Sequence, residues 1–350
     1  VILDRDAEAI GKRPDARPTV PTDLSDPAYV LFTSGSTGEP KGVQVPARAV
    51  VHFLRNMVDR PGLEPSDVVL GTTTFSFDIS VLELFLPLRV GAKVVLASAD
   101  DARDGRALCR LIEDHGVTLL QFTPTGWGIL RSAGWDGGDV KALSGGEPLP
   151  RGLLQWLLPR VREVWNGYGP TEATVYTTFA RLEDGYGPIH IGQPLPGVGC
   201  HVLDSDGRQL PPGVPGELCL TGPQLADGYV ARPDETSRRF QSNPFGSGLM
   251  YRTGDLVRWR RDGSIDHLGR LDDQVKLRGV RIELGEIETV LESEPEVRQS
   301  VVVLADLDGS TELVGYAVVD AEAWDERSLR TRLGGHLPDY MVPRFLVRLD

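Results

Sequence analysis

Short β-branched runs alternate with amphipathic segments from about Tyr29 to Asn166. Helical patterns occur between the apolar runs, for example at Ala107–His115 and Arg151–Leu158. Because strands that alternate with helices form crossover units, this region predicts a parallel sheet covered by helices. The predicted strands are Val68–Leu70, Lys93–Leu96, Val117–Phe122, Val140–Leu143 and Val161–Trp165.

The pattern changes to short strands between Gly197 and Gly269. Turn signals such as Asp206-Gly207 and Asp262-Gly263 separate these strands, which predicts an antiparallel, barrel-like section.

A third pattern follows Asp272 and predicts a small α+β unit. Its predicted elements are a hairpin over Gln274–Glu283, a helix over Gly285–Glu294, strands over Val297–Leu304 and Glu312–Val319, and a helix over Glu326–His336. We therefore predict an α/β protein with a large N-terminal subdomain (residues 1–271, barrel part about 197–269) and a small C-terminal subdomain (residues 272–350).

Composition excludes several classes of function. The 350 residues carry a net charge of −13, which repels phosphate backbones and anionic lipid, so we expect neither nucleic acid nor membrane as a partner. The three cysteines form no C-x-x-C pair, and the N-terminal residues lack a secretory apolar core, so we expect a cytoplasmic protein. Since the chain begins with Val1 rather than Met, we also expect it to be part of a longer protein.

The segment Thr33–Gly42 reads TSGSTGEPKG and directly follows the apolar run Tyr29–Phe32. Glycines let backbone N–H groups surround an anion, hydroxyls add donors, and a lysine adds positive charge. The segment is not a Walker A loop, because Lys41 follows proline and precedes glycine. It predicts a phosphate-binding loop; the alternative is a flexible surface loop.

Two further segments carry chemistry that suits a nucleotide. Asn166–Glu172 (NGYGPTE) closes the last predicted parallel strand, where ligands of open α/β sheets bind. Its ring, amide, hydroxyl and carboxylate can stack on a base, bind its edge, hold a phosphate and coordinate Mg²⁺. Tyr251–Asp255 (YRTGD) offers a carboxylate on a tight turn, suited to two ribose hydroxyls. Turns without a ligand are the alternative for both segments.

Eight motifs together resemble one family. In chain order they are YVLFTSGSTGEPKG, FDIS, SGGE, NGYGPTE, GELCLTGPQLADGY, YRTGDLVRW, GRLDDQVKLRGVRIELGEIE and LPDYMVPRF. From Tyr29 to its last residue the chain resembles an adenylation domain of a nonribosomal peptide synthetase, within the acyl-adenylate-forming superfamily. The resemblance implies the adenylate-forming fold, ATP and Mg²⁺ as cofactors, and two reactions: activation of an amino acid as aminoacyl-AMP, and its transfer to the phosphopantetheine thiol of a carrier protein.

The resemblance also implies roles for individual residues. Tyr168 matches the residue stacked on adenine, Asp255 the ribose clamp, Glu172 the Mg²⁺ ligand and Asp272 the hinge between the two reactions. The residues matching the pyrophosphate-handling loop are Thr33, Ser34, Ser36, Thr37 and Lys41, and Thr171 and Glu172 complete the catalytic set. The residues expected to hold the nucleotide are Gly146, Glu147, Asn166, Tyr168, Gly169, Thr171, Asp255 and Arg270.

Asp78 decides which acid is expected. It matches the family position whose carboxylate pairs with the α-ammonium group of an amino acid, and a buried carboxylate requires a cationic partner. Ser80 and Glu83 spell a capping box for the next helix, which leaves Asp78 available to a ligand; a helix-start residue is the alternative.

The resemblance implies that uncharged residues surround the remainder of the substrate, so we expect a small or modest uncharged amino acid. These pocket residues are Phe77, Ile79, Leu82, Phe122, Leu143, Gly145, Gly167, Val175 and Tyr176.

Two departures from the family pattern affect the expected activity. The family carries a catalytic lysine beyond the segment LPDYMVPRF, whereas no lysine follows Lys276 here, and the first part of the large domain is also absent. We therefore expect residues 1–350 alone to adenylate poorly or to fold poorly. Ala47 stands where relatives usually carry histidine.

Three classes of function remain open. They are an amino-acid-activating ligase, an acyl- or aryl-CoA ligase on the same fold, and a degenerate domain that binds nucleotide without catalysis. The expected partners of the first class are a peptidyl carrier protein domain and, as a further candidate, an MbtH-like protein.

Overall fold

The computed structural model of the protein describes residues 5–14, 16, 22–34, 40–272, 274–277, 280–307, 310–319 and 324–349. Its helices are α1 (Ala7–Gly11), α2 (Ala47–Met57), α3 (Ser80–Val90), α4 (Gly105–His115), α5 (Pro124–Ser132), α6 (Arg151–Leu157), α7 (Pro233–Arg239), α8 (Leu284–Glu292) and α9 (Glu326–Leu333).

The strands of the first half are β1 (Pro27–Thr33), β2 (Lys41–Pro46), β3 (Val68–Gly71), β4 (Lys93–Leu96), β5 (Leu119–Phe122), β6 (Lys141–Gly145), β7 (Glu163–Tyr168), β8 (Thr178–Leu182) and β9 (Gln193–Pro194). Those of the second half are β10 (Gly199–Leu203), β11 (Gly216–Thr221), β12 (Gly228–Tyr229), β13 (Phe240–Ser242), β14 (Leu249–Trp259), β15 (Ile265–Arg270), β16 (Gln274–Leu277), β17 (Val280–Glu283), β18 (Val297–Leu307), β19 (Ser310–Val319) and β20 (Phe345–Leu349).

A seven-stranded sheet in the order β4-β3-β5-β6-β7-β8-β9 forms the centre of the large part. The strands from β4 to β7 are parallel, and β8 and β9 add on antiparallel. Helices α4, α5 and α6 pack on one face through residues such as Leu108, Trp127 and Leu154. Helices α2 and α3 pack on the other face through Phe53 and Leu82. All five strands predicted for the parallel sheet are confirmed, as β3 to β7.

The apolar run Tyr29–Phe32 lies outside the parallel sheet, contrary to the prediction. It belongs to β1, which pairs antiparallel with β2, and β2 pairs in turn with β12. The seven residues between Thr33 and Lys41 are too few for a parallel crossover, which needs a dozen or more, but suffice for an antiparallel connection.

The antiparallel section is confirmed as a five-stranded sheet. The long strand β14 pairs with β11 along one edge and with β13 and β15 along successive halves of the other, while β10 pairs with β11. The predicted turn at Asp262-Gly263 connects β14 to β15, closed by the N–H of Arg260 donating to the carbonyl of Ser264 at 2.8 Å.

The last unit also follows the prediction and adds one strand to it. Strands β16 and β17 form the hairpin, and β18 pairs antiparallel with β19. The pattern gave no strand for β20, which pairs parallel with β19. Helices α8 and α9 bury Ile287 and Leu329 against this sheet. Among the described residues, no helix combines the length and the apolar character needed to cross a membrane.

The capping box predicted for α3 is wrong. Ile79 already has helical dihedral angles (φ −55°, ψ −30°), so Ser80 lies inside the first turn and makes no capping hydrogen bond. Glu83 instead accepts hydrogen bonds from the N–H groups of Thr72 and Thr73, at 2.8 and 2.9 Å, and from the Thr73 hydroxyl at 2.5 Å. Its carboxyl therefore holds the end of β3 rather than the start of the helix.

Glu83 generates a prediction about pH. Burial raises the pKa of its carboxyl to about 7, against the opposing hydrogen bonds from Thr73. Because the folded state then binds the proton more tightly than the unfolded state, stability falls as pH rises from about 4.5 to 7, by about 3 kcal/mol at most. Glu83→Gln keeps an acceptor oxygen for the N–H groups of Thr72 and Thr73 without the charge, and its NH2 group can donate to the Thr73 hydroxyl. We therefore expect it to reduce this fall in urea unfolding curves at pH 5 and 8. An unchanged pH dependence would contradict the account.

Candidate active site

A cavity of about 570 Å³ opens at the carboxyl ends of β6 and β7, between the seven-stranded sheet, the antiparallel sheet and the β16–β17 hairpin. Its volume is typical of small-molecule sites. Six of the predicted nucleotide-binding residues line it: Gly146, Glu147, Asn166, Tyr168, Asp255 and Arg270. Gly169 and Thr171, which the structure also describes, lie outside this lining. The structure thus brings together residues that are up to 124 positions apart in the chain, from Gly146 to Arg270.

Asp255 is the centre of a polar cluster in this cavity. The Tyr168 hydroxyl donates to its Oδ2 at 2.5 Å, Arg270 donates to Oδ1 at 2.9 Å, and Nε2 of His267 lies 3.2 Å from Oδ1. Burial alone would raise the pKa of Asp255, but the hydrogen bond from His267 and the charge of Arg270 outweigh it and hold the pKa below its usual range. Asp255 is therefore an ionised acceptor.

Tyr168 is fixed as the donor of this cluster. Burial, followed by the charge of Asp255, raises the pKa of its hydroxyl well above the usual value, so the hydroxyl keeps its proton. Its ring lies on the cavity wall with its centroid 5.7 Å from that of His267. A planar ring beside a carboxylate can stack on a base while the acid accepts from sugar hydroxyls.

The other cavity residues are also held by hydrogen bonds. Asn166 donates from Nδ2 to the carbonyl of His190 at 3.0 Å, and Glu147 accepts from the N–H of Thr125 at 3.0 Å. Asp272, the predicted hinge, accepts from Nε of Arg270 at 2.6 Å and from Arg239 at 3.4 Å. Burial would raise the pKa of Asp272, but the hydrogen bond from Arg270 lowers it below the usual value.

Asp78 is a buried carboxyl, with 4% of its surface exposed. Burial raises its pKa, while the hydroxyl of Thr171 and the positive charge of Lys276 act in the opposite direction, and Glu172 adds to the rise. Thr171, predicted as a phosphate contact, thus lies close enough to Asp78 to lower its pKa. Lys276, to which sequence reasoning gave no role, comes from β16 and lines the cavity. A buried carboxyl with a raised pKa is suited to receive a cation.

Most of the predicted substrate-pocket residues share one buried cluster around Asp78. The members are Ile79, Leu82, Leu143, Val175 and Tyr176, with Phe77 packed against them. The ring of Tyr176 lies directly over two glycines, because a Cβ atom at Gly145 would lie 2.6 Å from its Cε1 and one at Gly167 would lie 2.8 Å from its Cδ1. Burial raises the pKa of Tyr176 well above its usual value, and the charge of Asp78 adds to this rise.

Phe122 is separated from this cluster. It packs on the opposite side of the sheet against Trp127, with ring centroids 5.0 Å apart. Side chains alternate across a strand, so the preceding residue, Gln121, faces Tyr176, and its amide opposes the rise in that residue's pKa. Strand alternation was the signal that could have selected Gln121 instead of Phe122.

The phosphate-loop prediction is only partly described. Thr33 ends β1 and Ser34 follows it, whereas Ser36 and Thr37 lie outside the described residues. Lys41 has 1% of its surface exposed; its Nζ lies 3.2 Å from Oε1 of Glu235 and 4.8 Å from the ring centroid of Tyr229. Lys41 is therefore buried against Glu235 and Tyr229 rather than exposed.

Glu172 completes the polar groups near the loop. It is fully buried, and the hydroxyl of Tyr229 donates to its Oε1 at 2.8 Å. Within the described residues, no three His, Cys, Asp or Glu side chains form a metal-binding group. The single carboxylate of Glu172 fits Mg²⁺, which is commonly bound by one or two carboxylates together with substrate phosphates. Sequence reasoning gave no role to Tyr229 or Glu235, although Tyr229 ends one of the eight motifs.

Comparison with known proteins decides the family. The model of the family described as AMP-binding enzyme matches residues 2–230. The chain belongs to the AMP-binding enzyme family.

Relatives and solved structures agree with this assignment. The chain is 46% identical over 336 residues to a dimodular nonribosomal peptide synthase of Bacillus subtilis (strain 168), a match that covers 95% of the chain and 14% of that relative. A four-domain nonribosomal peptide synthetase, holo-AB3403 bound to AMP and glycine, is 39% identical with a TM-score of 0.68. That match covers 100% of this chain and 26% of the AB3403 chain. Holo-PA1221, a protein with adenylation and carrier domains bound to a vinylsulfonamide inhibitor, is 27% identical with a TM-score of 0.84. That match covers 97% of this chain and 60% of the PA1221 chain.

The resemblance and fold class predicted from the sequence are thereby confirmed. The chain is an adenylation domain of the nonribosomal peptide synthetase type with the adenylate-forming fold. It spans about one seventh of the Bacillus relative, so the activity of the whole protein that contains it is a separate question.

Asp255 provides a direct test of the prediction that this cavity binds a nucleotide. Asp255→Asn removes the charge that Arg270 and His267 face, and we expect it to weaken ATP binding about tenfold or more in isothermal titration calorimetry. Asp266→Asn is the matched control, because Asp266 is also buried and paired with two arginines, Arg258 and Arg260, but does not line the cavity. Equal losses in the two variants would contradict the assignment.

Proposed function

We propose that this adenylation domain activates a small uncharged amino acid as its aminoacyl-AMP, with release of pyrophosphate, and then passes the acyl group to the phosphopantetheine thiol of a peptidyl carrier protein. The observation that carries the proposal is the buried carboxyl of Asp78, with its raised pKa, beside a cavity lined by Tyr168, Asp255 and Arg270. A buried carboxyl requires cationic partners, and the ammonium group of an amino acid would add one to the positive charge of Lys276.

The geometry supports a division of roles in the first reaction. ATP would bind with its base against Tyr168 and its ribose hydroxyls at Asp255, while Asp78 orients the amino acid. A carboxylate oxygen of the amino acid forms a bond to the α-phosphorus, and the bond from that phosphorus to the pyrophosphate oxygen breaks. Catalysis of this kind depends on positioning and on neutralising charge. Mg²⁺ bound at Glu172 would supply positive charge to the phosphates.

Close packing around Asp78 supports a small substrate. Ile79, Leu82 and Tyr176 are all buried in one apolar cluster, and the ring of Tyr176 lies against the backbone at the ends of β6 and β7. The holo-AB3403 structure was bound to glycine. We therefore take glycine as the first candidate and alanine as the second.

Transfer to a carrier protein is supported by the type of relatives. The matched solved structures include PA1221, whose adenylation domain is joined to a carrier domain. A peptidyl carrier protein is therefore the proposed acceptor, and an MbtH-like protein remains a further candidate partner. Since no lysine follows Lys276, we further propose that residues 1–350 alone exchange pyrophosphate slowly.

Pyrophosphate exchange by the complete adenylation domain, with matched acids, tests the proposed substrate. Glycine and acetate differ only in the ammonium group, so we expect glycine-dependent exchange and none above background with acetate. Leucine and phenylalanine should give less exchange than glycine, because the side chains of Ile79, Leu82 and Tyr176 leave little room for a large substrate side chain. Acetate- or benzoate-dependent exchange with formation of a CoA thioester would favour the CoA ligase instead, and ATP binding without any exchange would indicate a degenerate domain.

Asp78→Asn tests the proposed role of the carboxyl. Because it removes the partner of a buried ammonium group, we expect kcat/KM for glycine to fall about a hundredfold. Asp67→Asn is the control. Asp67 is also a buried aspartate, and it accepts a hydrogen bond of 2.7 Å from the Thr118 hydroxyl, but it does not line the cavity. A similar fall in both variants would refute a specific role for Asp78.

Tyr229→Phe tests the proposed metal carboxylate. The variant removes the hydroxyl that donates to Glu172 but keeps the ring beneath Lys41, so we expect the Mg²⁺ concentration for half-maximal ATP binding to rise about tenfold. Tyr251→Phe, in the same buried cluster, is the control. Unchanged Mg²⁺ dependence in Tyr229→Phe would argue against Glu172 as the ligand.

A further inference from the structure

The segment that follows Glu172 has an unusual backbone. Thr174 (φ 60°, ψ 85°) and Val175 (φ 62°) both adopt left-handed conformations. β-Branched residues rarely adopt such angles, because their Cβ substituents crowd the backbone. Two in succession persist only where the surrounding structure holds them.

The side chain of Gln224 is placed to hold this segment. Its Nε2 lies 2.9 Å from the carbonyl oxygen of Tyr176, 3.3 Å from that of Ala173 and 3.4 Å from that of Thr174. In return, the Thr174 hydroxyl donates to the backbone carbonyl of Gln224 at 2.7 Å. Gln224 has 1% of its surface exposed, so water does not replace these bonds.

The opposite end of the same amide is held by α2. Its Oε1 lies 3.1 Å from Nδ1 of His52 and accepts from Nδ2 of Asn56 at 3.3 Å. Asn56 also donates to the carbonyl of Pro196 at 3.1 Å. The amide therefore has one orientation, because reversing it would set its oxygen against three carbonyls and its N–H groups against the Asn56 donor.

Residues 174–176 form a wall next to Asp78. Val175 and Tyr176 belong to the buried cluster that contains Ile79 and Leu82. The neighbouring nucleotide groups have anchors of their own: the carbonyl of Glu172 accepts from the N–H of Ala226 at 2.9 Å, and Tyr168 is bonded to Asp255. A shift of the wall would therefore affect the amino acid more than ATP.

We propose that Gln224 is a positioning residue for amino acid specificity, which holds the strained segment 174–176 as a wall of the substrate pocket. The inference rests on the proposed function, because it takes Asp78 as the site of the amino acid. Gln224 acts from outside the pocket, through Val175 and Tyr176, and its amide joins that wall to α2.

Steady-state kinetics of Gln224 variants test this role. Gln224→Met removes the donor to the three carbonyls, and Gln224→Glu places a carboxylate oxygen against them, so we expect the KM for the amino acid to rise about tenfold while the KM for ATP stays within about twofold. Gln155→Glu is the control, because Gln155 also donates to a carbonyl, that of Gly185 at 3.3 Å, but lies on α6. Equal rises in both KM values, or an unchanged KM for the amino acid, would overturn the proposal.

Rescue by glycine separates positioning from general stability. Glycine adopts left-handed angles without steric cost, so we expect Thr174→Gly to restore most of the amino acid KM when added to Gln224→Met. A double variant that is no better than Gln224→Met overturns the proposal. If Gln224→Met does not fold, the double variant carries the test: a folded double variant supports the proposal, and an unfolded one overturns it.

Hydrogen exchange tests, without any substrate, whether Gln224 holds residues 174–176. The N–H of Thr177 donates to the carbonyl of Tyr168 at 2.8 Å, and we expect its exchange in the peptide over residues 172–178 to accelerate at least about tenfold in Gln224→Met and to slow again in the double variant. Unchanged exchange would refute the role of Gln224. Absence of amino-acid-dependent pyrophosphate exchange by the complete wild-type domain would refute the proposed function alone.

Discussion

The hydrogen bond between the Tyr168 hydroxyl and Asp255 joins the two large sheets of this protein at the cavity. Tyr168 ends β7 of the seven-stranded sheet, and Asp255 lies in the middle of β14 of the antiparallel sheet. Arg270 and His267 of β15 keep the carboxylate ionised in a buried position. Every proposed contact to the nucleotide depends on this junction, because it sets the distance between a stacking ring and an acid that can accept two hydroxyls.

Two buried carboxyls, Asp255 on the cavity lining and Asp78 outside it, have pKa shifts in opposite directions. Asp255 has a lowered pKa because the cationic and hydroxyl donors that face it outweigh burial, whereas Asp78 has a raised pKa because burial outweighs Thr171 and Lys276. The first carboxyl is supplied with donors by the protein itself. The second would gain stability from a ligand that brings its own positive charge, which is the physical basis for proposing an amino acid at Asp78.

Local patterns in the sequence were sufficient for most of the fold. The strands from β3 to β7 and the β16–β17 hairpin follow from apolar runs bounded by turn residues. The pairing of β1 with β2 was missed, because an apolar run does not reveal its partner and only the short connection between Thr33 and Lys41 decides it. The capping box failed because the dihedral angles of Ile79, which the letters S-x-x-E do not encode, move Ser80 into the helix.

The site residues that belong to a sequence motif were predictable. Those that are placed only by contacts between distant segments were not. Tyr168, Asp255 and Arg270 line one cavity as expected. In contrast, the bonds of Glu235 to Lys41, of Tyr229 to Glu172 and of Gln224 to residues 173–176 connect segments about 50 to 200 positions apart, and no local pattern indicates them. Phe122 was predicted as a pocket residue although Gln121 faces Tyr176, because the resemblance gives a position in the chain but not the face of the strand.

A crystal structure with a non-hydrolysable ATP analogue and glycine tests the central claim most directly. The account predicts that the adenine ring lies against Tyr168, that both ribose hydroxyls lie within hydrogen-bond distance of Asp255, and that the glycine ammonium group contacts Asp78. A nucleotide bound outside the cavity, with Asp255 still bonded only to Tyr168, His267 and Arg270, would contradict it.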